Sequence, residues 1–570
     1  MSTKTKKARC ARLVGSLLIV LATLAVYARS LPGPYLWDDI SLVAANRTLD
    51  DHANLPRYFT QDLGRFNQHP RVMGFYRPMQ AATFHLETAL FGRSAPLQRL
   101  TNVLLHALAA LALYGLALTL FRRELPALLT GLLFAVHPLC TEQVCLIANR
   151  GGVMVGAFSL LTLYGIARAT DEGKVDPKWL ALAALAYIAA LLSKPNALVL
   201  IVPAVAYLLA VGRRTEKQLV AVIALLAGLA LAYAGWRWGV LGISHGHKAV
   251  TTPLWDRLLA LPRLTLNAFA LTLVPHRLRA IHDINLANWT SGWIVASAVA
   301  AWLLLFGAAI KVARHRPVFL LALIWFAATI APTAGLVPLV RPVAEHYYYL
   351  PAAAGSLLWV ALWSLAAERL PQRARLIPVL VLLAAFTAYT VVRAGVWASP
   401  EKLWADNVQK EPQSSEALNN YGTVLAETNR FREAYPIFER AVARQPANLK
   451  ARRNRAHAAI ELGLDEVAYE DLRLLLEADP CDAKAGALLG RLVVTAASLA
   501  PANLADGLTA RHRCAATIHL GAAMTLQHQG STATATSFLQ RFLDAAPEHP
   551  MAPAVRRQLA EWEKIRNKNE

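Results

Sequence analysis

Charge is scarce in this sequence: Asp, Glu, Lys and Arg make up 17% of its 570 residues, against 56% hydrophobic residues and a mean hydropathy of +0.36. The scarcity excludes a soluble globular protein, because the apolar residues fall in long uncharged blocks rather than in scattered stripes. Cysteine is scarce as well. Cys10, Cys140, Cys145, Cys481 and Cys514 are irregularly spaced and form no CxxC pair, so neither a disulfide framework nor a zinc site is indicated, a Cys481–Cys514 pair being the lesser alternative. No small-residue cleavage site clearly follows the first apolar run, which leads into Leu31-Pro32-Gly33-Pro34-Tyr35-Leu36-Trp37. With the basic N-terminal dozen before it, this run predicts an uncleaved first helix whose N-terminus is cytoplasmic. Acidic residues are outnumbered 37 to 58, giving a formal net charge of +21. The Lys and Arg residues lie mainly between apolar blocks or in the C-terminal third, so membrane orientation explains much of the excess and no nucleic-acid partner is expected. A carboxy-terminal KDEL-type retrieval signal is also absent.

What is present is a series of apolar segments of ~17–23 residues, the length that crosses a bilayer. They fall at about 13–28, 100–121, 125–141, 152–168, 179–193, 196–212, 218–240, 291–310, 317–334, 350–367 and 375–395, about eleven spans. Arg122 and Arg123, Lys174 and Lys178, Arg213, Arg214 and Lys217, Lys311, Arg314 and Arg316, and Arg369, Arg373 and Arg375 then share one side with the basic N-terminus, as the positive-inside rule asks. The stretch 255–280 is moderately apolar. Counting it as a span breaks the rule, so it is expected to be re-entrant or interfacial. An odd number of spans carries the C-terminal third to the outer face, the side of a large first loop at 29–98. The domains expected are a polytopic membrane domain, 1–396, and a C-terminal domain, 397–570.

The first outer loop contains Trp37-Asp38-Asp39, two adjacent carboxylates just past the first span. Acids so near a bilayer are costly unless water or a cation receives them, which makes them functional candidates. Three further outer turns each carry a base where orientation alone disfavours one. They are His137-Pro138-Leu139-Cys140-Thr141-Glu142 continuing to Arg150, then Ser193-Lys194-Pro195-Asn196, then Arg341-Pro342-Val343-Ala344-Glu345-His346-Tyr347-Tyr348-Tyr349. Cations recurring opposite an acidic loop point to an anionic ligand with a lipid tail, a phosphate at the membrane surface. Taken singly, Lys194 also reads as a snorkelling lysine, Arg341 as an ion pair with Glu345, and Tyr347-Tyr348-Tyr349 as part of an interfacial aromatic belt. His85 and His106 lie on apolar helices and read as satisfied interior histidines, with no spaced metal-ligand set. The sequons Asn46-Arg47-Thr48 and Asn288-Trp289-Thr290 matter only in a eukaryotic secretory compartment.

From about Trp397 hydropathy drops and a period appears: Pro412, Pro446 and Pro480 recur every 34 residues. That period signals tetratricopeptide repeats. The first, from Ser415, has Gly422, Ala434, Phe438, Ala441 and Pro446 at its small and large positions, and the second has Ala456, Ala468, Leu472, Leu475 and Pro480. A third begins with Leu489 and Gly490 and degenerates around Pro501. A fourth shows Ala535, Leu539 and Pro547, and 552–568 reads as a polar capping helix. The fold class expected is therefore all-α, a membrane helical domain followed by an α-solenoid whose groove binds extended peptide.

Trp37-Asp38-Asp39, Tyr76-Arg77-Pro78, Leu100-Thr101-Asn102-Val103-Leu104-Leu105-His106, His137-Pro138 with Glu142 and Arg150, Leu192-Ser193-Lys194-Pro195, and Ala344-Glu345-His346-Tyr347-Tyr348-Tyr349-Leu350-Pro351 occur in this order. The order resembles the transmembrane-and-tetratricopeptide O-mannosyltransferase family and its bacterial relatives over nearly the whole chain. The resemblance implies a C-type glycosyltransferase, a multi-spanning enzyme using a polyprenyl-phosphate-linked sugar on the outer face, with Asp38 and Asp39 matching the family's acidic pair. His346 departs from the pattern, since relatives commonly carry Arg after the Glu. A histidine there is uncharged through part of the neutral range.

The expected chemistry is transfer of a sugar to a Ser or Thr hydroxyl of a protein, with one acid of the pair as base and the other orienting a basic residue, the substrate or a divalent metal such as Mg or Mn. Neighbouring side chains diverge, so the two acids do not address one atom. Arg150, Lys194 and Arg341 are the candidates to receive the leaving phosphate, and Arg77, Glu142, Glu345 and His346 complete the donor-binding set. A single base opposite the leaving group predicts inversion at the sugar carbon, by analogy with single-displacement glycosidases. The rival reading is a non-catalytic membrane anchor presenting a repeat scaffold to an envelope or secretion complex. A lipid-linked sugar flippase would carry charges within several spans, whereas here they gather at one surface. The location expected is the cell inner membrane with the repeats in the periplasm, the endoplasmic reticulum with lumenal repeats being the alternative.

Overall fold

The structure, a computed structural model, describes residues 3–63, 74–171, 175–211, 215–243, 252–335, 339, 341–496 and 500–569. Lys174, Arg213, Arg214 and parts of both large outer regions lie outside the described residues. Every regular element described is a helix. The chain divides into two compact units, Met1–Leu403 and Trp404–Glu570.

The first unit contains α1 (Thr3–Tyr27), α2 (Pro78–Phe91), α3 (Ala95–Phe121), α4 (Glu124–Ala135), α5 (Thr141–Cys145), α6 (Arg150–Ala169) and α7 (Pro177–Ser193). It continues through α8 (Ile201–Val211), α9 (Glu216–Ala234), α10 (Leu254–Leu273), α11 (Gly292–Ala313), α12 (Val318–Ile330), α13 (Tyr349–Ala367) and α14 (Ile377–Val396). Seven helical stretches among the described residues are long and apolar enough to cross a membrane: Arg9–Ser30, Ala95–Phe121, Ile147–Ala169, Glu216–Val240, Gly292–Ala313, Glu345–Ala367 and Ile377–Val396. Four expected segments remain. One is the pair Glu124–Ala135 and Pro138–Cys145, bent by 43° at the His137-Pro138 break, and three are the shorter apolar helices Pro177–Ser193, Pro195–Ala210 and Val318–Thr333. The chain is a multi-pass membrane protein.

Helix ends follow local chemistry. Thr215 and Gln218 form a reciprocal capping box that starts α9, and Asp176 caps α7 ahead of Pro177. Packing inside uses small residues, as it does wherever lipid leaves no hydrophobic drive between helices. Gly156 of α6 faces the ring of Tyr349 at the start of α13, and a Cβ there collides with it. α3, α6 and α13 are largely buried, while α9 and α11 expose most of their apolar surface. The stretch expected to be re-entrant contains one continuous helix, α10, carrying Pro262 and packed against α11 and α13. Asp256, Arg257 and Arg263 keep it less apolar than a span.

The second unit runs from α15 (Pro400–Lys410), which straddles the boundary, through α16 (Ser415–Glu427), α17 (Phe431–Arg444), α18 (Leu449–Leu462), α19 (Asp465–Ala478), α20 (Ala483–Thr495), α21 (Ala500–Arg511), α22 (Thr517–His528), α23 (Thr532–Ala545) and α24 (Ala552–Asn569). α16, α18, α20 and α22 begin 34 residues apart, so the period read from prolines is a period of helix pairs. Each pair closes on the residues named above. Phe438 packs against Gly422, and Leu472 and Leu475 join Ala456 in one buried cluster. The irregular third repeat lays α20 directly on α22, where a side chain at Gly490 collides with the Ile518 carbonyl. Cys481 and Cys514 are joined by a disulfide across this repeat, which sequence spacing had ranked as the lesser alternative. The final helix is polar overall and packs through one apolar face, with Ala552, Val555 and Leu559 buried against Phe542.

Candidate active site

Trp37 adopts φ 47°, a left-handed conformation that bulky residues rarely take. The chain therefore turns sharply just before the acids, and their environments differ. Asp39 is fully buried, its Oδ2 accepting from the Leu36 N–H at 3.1 Å and its Oδ1 from the Ala148 N–H at 2.7 Å. Burial pushes its carboxyl up to about 7, with the two N–H donors and the Arg99 charge opposing the rise. Asp38 is exposed. Arg77, which precedes α2, lies within electrostatic reach of it.

The other side chains close a ring about this point. Arg77 and Glu142 both lie within electrostatic reach of Lys194. Glu142 Oε1 meets His346 Nδ1 at 2.6 Å, and the imidazole stands edge-on to Tyr347 at 4.5 Å between centroids. The Tyr347 hydroxyl donates to the Arg341 carbonyl at 3.4 Å, and the Arg341 guanidinium covers the Trp37 ring at 4.6 Å. Lys194 sits in the turn between α7 and the Pro195–Leu200 helix, and burial together with the Arg77 charge pulls its ammonium down to about 7, Glu142 opposing. Trp37, Asp38, Arg77, Glu142, Lys194, Arg341 and His346 are thus brought together from five separate segments.

Two expected donor-binding residues stand apart. Arg150 is fully buried: its Nη1 meets Glu87 Oε2 at 2.6 Å, its Nε donates to Asn102 Oδ1 at 3.0 Å and its Nη2 to the Gln98 carbonyl at 2.7 Å. It anchors the start of α6. Glu345 is also fully buried, accepting from the Arg279 N–H and lying 3.3 Å from His282 Nε2 and 3.4 Å from Arg393 Nη2. The pairing of Arg341 with Glu345 considered above is not the one Glu345 makes. Tyr348 and Tyr349 are buried rather than interfacial, and Tyr349 Oη lies 2.7 Å from His106 Nδ1. His106 is a satisfied interior histidine, as is His85, which contacts Tyr58 Oη at 3.2 Å and His52 at 3.0 Å. The sequon residue Asn46 is buried and caps the following turn, accepting from the Thr48 N–H at 3.1 Å.

Sequence reasoning missed the groups that hold this arrangement. Arg99 donates to the carbonyls of Ser30, Gly33, Pro34 and Cys145 at 2.7–2.9 Å, fastening the first loop to α5. Arg237, between two tryptophans, donates to the Gly74 carbonyl at 3.1 Å. Gln80 donates to the Ala148 carbonyl at 2.8 Å and lies against Gly151, where a side chain collides with it. A guanidinium inside an otherwise apolar helix was the available signal for Arg99 and Arg393.

An exposed carboxylate, three cations of which one titrates near neutrality, and a carboxylate–imidazole pair can accept a proton and hold an anion within one small region. Among the described residues no three His, Cys, Asp or Glu side chains converge as a metal-ligand set.

Residues 68–238 match the family described as dolichyl-phosphate-mannose-protein mannosyltransferase, a segment containing Arg77, Glu142, Arg150 and Lys194. The human protein O-mannosyl-transferase TMTC1 is 25% identical over 492 residues, covering 77% of this chain and 56% of its own length. The human protein O-mannosyl-transferase TMTC4 is 26% identical over 477 residues, 73% of this chain and 63% of its own. Among solved structures, the archaeal oligosaccharyltransferase AglB from Archaeoglobus fulgidus, in complex with an inhibitory peptide and a dolichol-phosphate, aligns with a TM-score of 0.36 at 14% identity, covering 74% of this chain and 59% of AglB. The chain spans a little over half the length of the curated relatives it matches, and over most of its own length its sequence relates it to the protein O-mannosyl-transferases.

Proposed function

We propose that this chain is a membrane glycosyltransferase that moves a sugar from a polyprenyl-phosphate donor to a Ser or Thr hydroxyl of a protein on the outer face. The observation that carries the reading is exposed Asp38 facing the cations Arg77, Lys194 and Arg341 across one ring of contacts. In the step proposed, the acceptor hydroxyl oxygen bonds to the anomeric carbon as Asp38 takes its proton. The bond from that carbon to phosphate oxygen breaks, and the polyprenyl phosphate leaves as an anion towards the three cations. A phosphate leaving group needs charge stabilisation rather than a proton, which suits fixed cations in a water-poor cleft. Attack opposite the leaving group inverts the sugar carbon. Glu142 and His346 orient Lys194 and Tyr347 at the rim. Asp39 positions the loop. A divalent ion finds no three-residue ligand set among the described residues. The relatives' names favour mannose as the sugar.

The repeat unit is proposed to bind an extended segment of the acceptor, as stacked helix pairs do. The Cys481–Cys514 disulfide supports placing that unit in an oxidising compartment, the periplasm of an inner-membrane protein or the lumen of the endoplasmic reticulum. The test is intact-mass analysis of envelope and secreted proteins from cells carrying wild-type or Asp38→Asn chain at matched abundance. Loss of a sugar mass from an acceptor in the variant is expected. A glycoproteome unchanged by Asp38→Asn removes the proposal.

A further inference from the structure

A sizeable cavity lies in the first unit and takes no part in the site just described. It has a volume of about 780 Å³ and forms where the ends of α3, α4, α8, α12, α13 and α14 meet. Its walls are of mixed character, with Pro126, Phe319 and Ala361 forming an apolar part and Thr119 and Ser364 a polar one, while its rim carries Arg122, Arg123, His315, Arg316, Glu368 and Arg375. These rim residues come from three turns that the charge pattern assigns to the cytoplasmic side, so three basic turns distant in sequence surround one opening. Two of the four arginines are already matched: Arg122 meets Asp171 at 2.6 Å, and Arg316 meets Glu368. Among the described residues Arg123 and Arg375 form no ion pair with a carboxylate, although Arg375 Nε donates to the Leu370 carbonyl at 3.2 Å, and both are exposed. Net positive charge over a partly apolar hollow between span ends is the complement of an amphiphilic anion.

We propose that this cavity binds one anionic phospholipid from the cytoplasmic leaflet, its phosphate between Arg123 and Arg375 and its acyl chains against Pro126, Phe319 and Ala361. Charge complementarity commits the site to a lipid with a net negative head group. A zwitterionic lipid brings an ammonium that offsets its phosphate beside the arginines, and inorganic phosphate leaves Pro126, Phe319 and Ala361 uncovered. Lipid binding here is independent of glycosyl transfer, because the cavity and the Asp38 ring lie at opposite ends of the spans.

The test uses the full chain, delipidated in detergent and titrated with short-chain phosphatidylglycerol, phosphatidylcholine or inorganic phosphate, with bound lipid read by native mass spectrometry and thermal stability read in parallel. One phosphatidylglycerol per chain is expected to bind and raise the melting temperature, with neither effect from phosphatidylcholine or phosphate. Arg123→Gln with Arg375→Gln should weaken phosphatidylglycerol about tenfold, the loss of a charge-assisted contact. Lys311→Gln, a basic exposed residue that does not line the cavity, should leave binding unchanged. The double variant must melt as wild type without lipid, and if it does not, Arg123→Lys with Arg375→Lys should retain binding in its place. Equal binding of phosphatidylcholine, stabilisation by phosphate alone, or equal weakening by Lys311→Gln would overturn the proposal.

Discussion

Asp38 and Asp39 are one peptide bond apart and occupy different dielectrics. The outer acid is exposed, while both oxygens of the inner one accept from the Leu36 and Ala148 N–H groups. Asp39→Asn presents an NH2 to one of those donors and should cost about 1–3 kcal/mol, the penalty for a buried donor left unmatched. Asp38→Asn should leave the thermal midpoint unchanged while abolishing transfer. Melting both variants beside wild type separates brace from base, and a larger loss of stability in Asp38→Asn reverses the assignment. The pH dependence follows in sign. Because the native carboxyl of Asp39 is raised to about 7, the folded state binds more protons than the unfolded state between about pH 4 and 7, so this group's contribution to stability falls as pH rises through that window. For Lys194 the effect predicted from the proposed function is on donor binding instead. Its ammonium, lowered to about 7, loses its charge as pH rises past that value, so the donor KM should climb on the alkaline side. Lys194→Arg keeps the charge and should flatten that limb, and an unchanged KM–pH profile in the variant would sink the role.

At the scale of elements, the site depends on a short relay: Gly151 admits Gln80, Gln80 holds the Ala148 carbonyl, and the Ala148 N–H holds Asp39. Gly151→Ala should therefore lower transfer at least about tenfold through misplacement of the first loop, since an ångström of error costs about a hundredfold at worst. The check is kcat against a donor KM, and a variant with wild-type kcat breaks the relay. This dependence was not legible in the sequence, whereas the spans were, because hydropathy is a local property and each apolar block declares itself. The Trp37-Asp38-Asp39 motif and the bases in the outer turns were legible as candidates for a related reason: each opposes the charge bias of its own neighbourhood. What the sequence hid was pairing. Arg150 finds Glu87 and Glu345 finds Arg393 across many tens of residues, so two charges read as ligands are spent inside the scaffold. The disulfide was hidden similarly, since Cys481 and Cys514 meet only because the third helix pair folds back between them.

For the whole molecule, the expected membrane side of each end rests on charge and on the parity of the expected spans, and redox chemistry offers an independent test of it. Disulfides persist in the periplasm and in secretory compartments and are reduced in the cytosol. Cys10 is exposed in the basic N-terminal segment, Cys140 and Cys145 are buried, and Cys481 is bonded to Cys514. Alkylating intact cells with a membrane-permeant maleimide before denaturation, then mapping peptides by mass, should therefore tag Cys10 and leave Cys481 and Cys514 untagged until a reductant is added. That outcome assigns the N-terminus to a reducing face and the repeat unit to an oxidising one, the topology that an odd number of spans requires. Full tagging of Cys481 and Cys514 without reductant would put the repeats in the cytosol, beyond reach of an acceptor on the outer face. The proposal that the repeats deliver the acceptor would then fail, even with the Asp38 ring intact.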